Sequence, residues 1–315
     1  MQAVIRYLAR WSPALANRAL SIGQRAYKYG DYAGALMEFR ALANQGNAIA
    51  QFFVGSMYRN GEGLVADHGE AARWIRLAAE HGMVDAQFAL GVMYEDGEGV
   101  KRDTAEAVRW YRLAARRGCA SAQFNLGECF HQGRGVERSE TRAWWWISLA
   151  AAQGDPNAQL NLGTRYLDGI GVAKNELEAH LWFNLAVAHG SADATGYRDS
   201  AAQDLTPNQI AGVQCRVREW TPKTRSESAL DVYKGEVAEF FQTLSEGPTK
   251  VPIDEMLGFL QRADELIDVG LALGVSAQDL VKALREVRRA LAGDMERTAE
   301  SEMRALPAQD SSRLR

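Results

Sequence analysis

The side chains that could carry chemistry in this 315-residue chain are few and widely separated. Its histidines are His68, His81, His131, His180 and His189, and none stands four residues from another histidine or a cysteine. They therefore give no zinc site on one side of a helix. Cys119, Cys129 and Cys215 form too sparse a set for a disulfide framework and lack the short spacing of a structural metal site. They read as reduced thiols, which favours a reducing compartment. Gly-x-Gly recurs along the chain, a pattern whose backbone N–H groups cradle phosphate in some folds. Here no strand pattern leads into it and no Gly-Lys-Ser/Thr follows, so turns are expected instead. Asp96-Gly97-Glu98-Gly99 brings carboxylates together, but without the alternating oxygen ligands of a calcium loop. No serine stands in a nucleophile elbow. The expectation is a chain with no catalytic residue, no cofactor and no metal, and so not an enzyme.

Nucleic-acid binding needs a positive surface that displaces counterions, and the formal net charge of −4 supplies none overall. The one local exception is residues 266–286, LIDVGLALGVSAQDLVKALRE. Leu273, Gly274, Val275 and Leu280 have helix-turn-helix spacing, and Lys282, Arg285, Arg288 and Arg289 add positive charge. Asp264, Glu265, Asp268, Asp279 and Glu286 oppose it, since a recognition helix would bring acids against phosphates. A DNA-associated regulator with a degenerate helix-turn-helix near 263–286 is the alternative reading; a plain αα-hairpin has the same spacing.

No run of 18 or more apolar residues exists, so no transmembrane helix is expected. The first residues also lack the apolar core of a secretory signal. They contain no acid before Asp31, while Arg6, Arg10, Arg18, Arg25 and Lys28 are basic. Two readings stand: a transit-like or membrane-surface helix, and a capping helix that turns Val4, Ile5, Leu8 and Trp11 inward. A cytoplasmic location is expected.

The architecture comes from an internal period. Trp74, Trp110, Trp146 and Trp182 are each 36 residues apart, as are Gly55, Gly91, Gly127 and Gly163, and Gln51, Gln87, Gln123 and Gln159. Gly61, Gly97, Gly133 and Gly169, followed by Gly63, Gly99, Gly135 and Gly171, keep the same step. The period defines four units, 48–83, 84–119, 120–155 and 156–191. Each reads as a helical hairpin. The first helix carries Ala50, Val54 and Tyr58 at helical spacing and ends at Gly-x-Gly. Asp67, Asp103, Ser139 and Asn175 are N-cap residues for the second helices, with capping boxes expected at Glu70, Glu106 and Glu178. Gly82, Gly118, Gly154 and Gly190 stop those helices. A single hairpin cannot bury its apolar face, so the units must stack.

The runs AQFALGVMYEDGEGV, DTAEAVRWYRLAARRG and AQLNLGTRYLDGIGV resemble Sel-1-like repeats, relatives of the tetratricopeptide repeat. The resemblance implies an all-α fold, a right-handed α/α superhelical solenoid of 36-residue hairpins with a C-terminal helical extension. Residues 1–47 read as an N-terminal helix and an atypical tetratricopeptide-like first repeat. In it Gly23, Ala26, Tyr27, Gly30, Tyr32, Ala35 and Phe39 resemble the shorter-looped form. Residues 192–220 resemble the helices that close such arrays. Residues 221–315 read as a helical extension of unknown role, entered through a polar linker at 221–228. Helices are expected near 228–245, 253–273 and 276–305, as a small domain or a docking arm. The family's cysteine-rich members with reported hydrolytic activity carry cysteine pairs in each repeat, which this chain lacks.

Function in a solenoid lies on the surface left after stacking. Beside the framework residues, one stripe of the first helices varies between units. It holds Phe53, Ser56 and Asn60, then Ala89, Val92 and Asp96, then Asn125, Glu128 and Gln132, then Asn161, Thr164 and Asp168. Spacing at i, i+3 and i+7 puts each trio on one helix side. The resemblance places these first helices along the concave groove. Asn125 and Asn161 could bond a peptide backbone in either sense; equally, the stripe is simply solvated. Trp145 stands where Arg73 and Arg109 stand in neighbouring units, so it should face outward, as an interface anchor or under the C-terminal helices. The expected partner is a protein or peptide, bound by a scaffold or adaptor through the groove, the C-terminal helices, or both. Oligomeric state is not legible.

Overall fold

The computed structural model describes residues 13–229, 231 and 232. The chain divides into two compact units, 1–229 and 230–315. The N-terminal residues Val4, Ile5, Leu8 and Trp11, most of the helix expected near 228–245, those expected near 253–273 and 276–305, and the helix-turn-helix reading of 263–286 lie outside the described residues.

Among the described residues there are twelve complete α-helices, a further helical stretch that begins at 225, and no strand. A first hairpin, α1 (Pro13–Lys28) and α2 (Tyr32–Ala43), precedes the periodic array. The array itself is four hairpins of equal length: α3 (Ala48–Asn60) with α4 (His68–Glu80), α5 (Val84–Asp96) with α6 (Thr104–Arg116), α7 (Ala120–Gln132) with α8 (Glu140–Ala152), and α9 (Pro156–Asp168) with α10 (Glu176–Ala188). The shorter α11 (Ala194–Ala201) and α12 (Pro207–Glu219) pack on the last hairpin. From α1 to α10 each helix packs on its neighbours in sequence, as a solenoid requires.

The repeated residues explain the hairpin. Gly61, Gly97, Gly133 and Gly169 close the first helices in the left-handed region, near φ +72°, +77°, +69° and +74°, where a Cβ would be strained. Asp67 accepts from Glu70 N, and Asp103, Ser139 and Asn175 cap their helices in the same way. The reciprocal half of the expected capping boxes does not form at these caps. The N-cap amides are already committed: Asp67, Asp103, Ser139 and Asn175 donate to the carbonyls of Tyr58, Tyr94, Phe130 and Tyr166 at 2.8–2.9 Å. Glu70, Glu106 and Glu178 turn instead to Arg73, Arg109 and Arg216. A complete capping box forms at Thr206 and Gln209, where no hairpin bond competes.

Within each hairpin the helices touch at a glycine. A Cβ on Gly91 would lie 2.6 Å from the Tyr111 ring, and one on Gly127 2.6 Å from Ile147. Alanines and one large side chain per crossing fill the rest, with Trp74, Trp110 and Trp146 each 5% exposed. Ala50, Val54, Met57 and Trp74 join Ala35, Phe39 and Leu42 of the first hairpin in one core cluster, so the array begins on a packed layer.

Candidate partner-binding surfaces

Two surfaces of the array collect polar side chains. The first is the variable stripe on α3, α5, α7 and α9. Each trio runs from half-buried residues near the helix middle to an exposed one at the Gly-x-Gly turn, where Asn60, Asp96, Gln132 and Asp168 stand in solvent. The start of the stripe is apolar and packed: Phe53 stacks on Phe39 with centroids 4.6 Å apart and meets Tyr27 edge-on at 5.5 Å. Ser56 is half-buried, as are Ala89 and Val92. In the third and fourth units the stripe becomes a bonded polar strip. Glu128 accepts from Gln132 Nε2 at 3.3 Å and from Asn161 Nδ2 at 3.0 Å, so it bridges two repeats. Asn161 Oδ1 accepts from Arg165 Nε at 2.7 Å, and Thr164 donates to the Asn161 carbonyl. Asn125 is half-buried.

Ion pairs beside this strip tie each unit to the next. Arg59 clasps Glu98 with two bonds of 2.7 and 2.5 Å. Glu95 accepts from Tyr111 Oη at 2.6 Å and from Arg134 of the following unit. Glu140 takes His131, Arg138 and the buried Arg165. Burial pushes its carboxyl up, but the three hydrogen bonds outweigh burial and hold it at about 2.

Trp145 is half-buried and meets Trp146 edge-on, centroids 4.6 Å apart. The equivalent Arg73 and Arg109 lie over Trp74 and Trp110 at 4.9 and 5.4 Å. One outer position thus covers the repeat tryptophan in all three units, by cation–π contact twice and by an aromatic edge once.

The second surface is the edge where each second helix turns into the next unit. The periodic glutamines stand out in the sequence, but nothing there gives them a role. Gln51, Gln87, Gln123 and Gln159 are buried at this edge and donate through Nε2 to the carbonyls of Ala43, Ala79, Ala115 and Ala151 at 3.0–3.2 Å. Each bond joins a first helix to the preceding unit. The glutamine oxygen then needs a donor. His81 and His189 supply it through Nδ1 at 2.9 Å, and Gln153 supplies it to Gln123 at 2.8 Å. In the second unit the equivalent residue is Arg117, which turns to the Gly82 carbonyl, and Gln87 Oε1 is left without a partner.

Residues 221–228, expected as a linker, run along this edge and are bonded to it, and a helix begins already at 225. Pro222 sits over Gly154, whose Cβ would lie 3.6 Å from the proline Cβ. Lys223 N donates to the Ala152 carbonyl at 2.8 Å. The Arg225 backbone lies so close to Gly118 that a Cβ there would overlap its carbonyl, and its guanidinium reaches Asp85 at 3.1 Å. Ser228, fully buried, accepts from Gln123 Nε2 at 2.9 Å and from Gln153 Nε2 at 3.1 Å. No periodicity or composition marks this segment, because its partners are backbone groups and a glutamine pair far away in sequence.

Among the described residues no three His, Cys, Asp or Glu side chains are placed to hold a metal. No described helix is long and apolar enough to cross a membrane. Cys119 and Cys129 are buried and Cys215 is exposed, all as free thiols.

Comparison with known proteins agrees with this geometry. The Sel1 repeat family profile matches residues 48–83, 84–119, 120–155 and 156–191, the four hairpins α3–α10. Among solved structures, a Sel1 repeat protein from Oxalobacter formigenes is 27% identical with a TM-score of 0.56, over 66% of this chain and 88% of its own. A protective antigen of uropathogenic Escherichia coli that displays an SLR fold is 28% identical with a TM-score of 0.47, over 70% of this chain and 56% of its own. No curated protein matches the chain. Residues 48–191 are thus four consecutive Sel1 repeats, stacked as an all-helical solenoid.

Proposed function

We propose that this chain is a non-enzymatic scaffold or adaptor that grips a protein or peptide partner along the stripe of its first helices. Sel1 repeats generally mediate protein–protein interaction. The observation that carries the reading is the Glu128–Asn161 bridge, which joins the stripes of two units into one continuous polar strip. A partner lying across the repeats would meet Val92 and Ala89 as apolar footholds and Asn125, Glu128, Asn161 and Thr164 as bonding groups. Trp145, amphipathic and half-buried, is a candidate anchor at the outer face.

The test uses the full chain as bait in lysate of its native cell. Wild type is compared with Val92→Glu, Asn125→Arg, Asn161→Arg and Trp145→Ala. A protein recovered by wild type and lost with the stripe variants supports the groove. Recovery unchanged by the three stripe variants moves binding elsewhere, and a protein lost only with Trp145→Ala moves it to the outer face.

A further inference from the structure

We propose that the inter-repeat edge is a peptide-binding track, that residues 221–229 are its resident ligand, and that a partner with a segment of the same chemistry binds by displacing them. The track is separate from the first-helix stripe, so either can fail without the other.

The track has four stations that together read a short stretch of chain. The Ala152 carbonyl takes a backbone N–H, as it takes Lys223. Gly118 offers a floor without a Cβ, against which a peptide carbonyl can lie, as Arg225 does. Asp85 takes a cation. Beyond it, Gln123 and Gln153 close on a hydroxyl, donating to it while Gln123 Oε1 accepts from Ser228 at 3.2 Å. The segment that fits is therefore extended over its first residues and then enters a helical turn, with serine or threonine three residues after a lysine or arginine. The resident copy starts a helix there: Thr224 caps it, its N and Oγ1 both bond Glu227 at 2.7–2.8 Å, and Ser228 N reaches the Thr224 carbonyl at 3.0 Å.

The hydroxyl station is particular to the third unit. At its outer position the other units have His81, Arg117 and His189. A histidine Nδ1–H is used up by its own glutamine, as at His81 and His189. The Gln153 amide has two hydrogens, so it bonds both Gln123 and the incoming oxygen.

The resident segment is held in a way that permits release. Residues 221–227 are exposed, and Ser228 is the one fully buried side chain among 221–229. Outside the Ser228 station the attachment is by separate polar bonds on exposed residues, the condition for a low local opening free energy. Direct covalent linkage nevertheless gives the segment an effective concentration of about 1 mM at the track. A partner must exceed that, or carry further contacts.

The experiment titrates a fluorescein-labelled peptide of sequence WTPKTRSESA, residues 220–229, into the full chain. Wild type is compared with Ser228→Leu, which puts an isobutyl group where a hydroxyl is bonded. Lys223→Pro serves as a second release variant, because residue 223 is exposed and proline lacks the N–H that bonds the Ala152 carbonyl. Hydrogen exchange over 221–229 reads release, and circular dichroism reads the array. The expected result is faster exchange in that segment, an unchanged helical signal, and binding about tenfold tighter to the variants than to wild type. A peptide with leucine at the Ser228 position should not bind. Should Ser228→Leu melt the array, Lys223→Pro carries the same comparison. Released variants that do not bind the peptide, binding equal in wild type and variants, or undiminished protection of 221–229 in both variants would each overturn the proposal.

Discussion

Gly169 and Gly171 close the same turn with nearly the same backbone, φ +74° and +73°, yet alanine should be far costlier at the second. An L side chain in this region costs about 1 kcal/mol at either position. Packing separates them. A Cβ on Gly169 meets Lys174 Cβ at 3.6 Å, an ordinary contact. A Cβ on Gly171 would lie 2.7 Å from the Glu140 carbonyl carbon and 3.2 Å from Glu140 Cβ, and would overlap the carbonyl oxygen. The obstacle is backbone at the start of α8, which cannot rotate away, so the two units must part by about 1 Å. Overpacking of this kind adds about 1–3 kcal/mol. It would also disturb the first residue of α8, Glu140, which ties His131, Arg138 and Arg165 together. Urea unfolding followed by circular dichroism checks the pair. With a slope of about 2 kcal/mol per molar, the Gly171→Ala midpoint should fall about 0.5–1.5 M below that of Gly169→Ala. Equal midpoints would refute the claim that the second glycine serves unit-to-unit contact and leave only its backbone conformation as the reason for it.

Other outcomes rest on single residues. Arg117→His should place an Nδ1–H on the unpartnered Gln87 Oε1, as His81 and His189 do for theirs, and raise stability by about 1 kcal/mol, or about 2–4 °C in a thermal melt; an unchanged or lower Tm would count against it. Glu140 is held at about 2 in the folded chain, below the ordinary carboxylate value of 4.5. Its contribution is therefore complete above pH about 4.5 and is lost as pH falls toward about 2, so the gap in urea midpoint between wild type and Glu140→Gln should be wide at pH 7 and close near pH 2. Burial pushes the Cys129 thiol up to about 11 and raises Cys119 as well, whereas Cys215 is exposed. Iodoacetamide at pH 8 should consequently label Cys215 first, with the other two reacting only on unfolding, as peptide mapping would read.

The 36-residue step fixed most of the array before any coordinate was needed, because each unit makes the same local bonds and the glycines and N-caps that end its helices are local devices. The hairpin bounds at 48, 84, 120 and 156 come directly from it. The capping boxes differ from expectation for a tertiary reason: the N-cap amides of Asp67, Asp103, Ser139 and Asn175 serve the hairpin partner, which no local pattern reports. Spacing alone puts Phe53 on the stripe, whereas its stacking on Phe39 depends on how the first hairpin docks. The periodic glutamines are visible as a column of identical letters, but their role needs the unit-to-unit approach that brings Gln51 Nε2 to the Ala43 carbonyl. Residues 221–229 are the least legible. Their sequence is polar and turn-forming, the composition of a linker, and their order comes from Gly118, Asp85, Gln123 and Gln153, up to 140 residues away in the chain. A period repeated in sequence determines what neighbours do to one another; a segment that folds back once, onto groups it shares no pattern with, is decided by the tertiary structure alone.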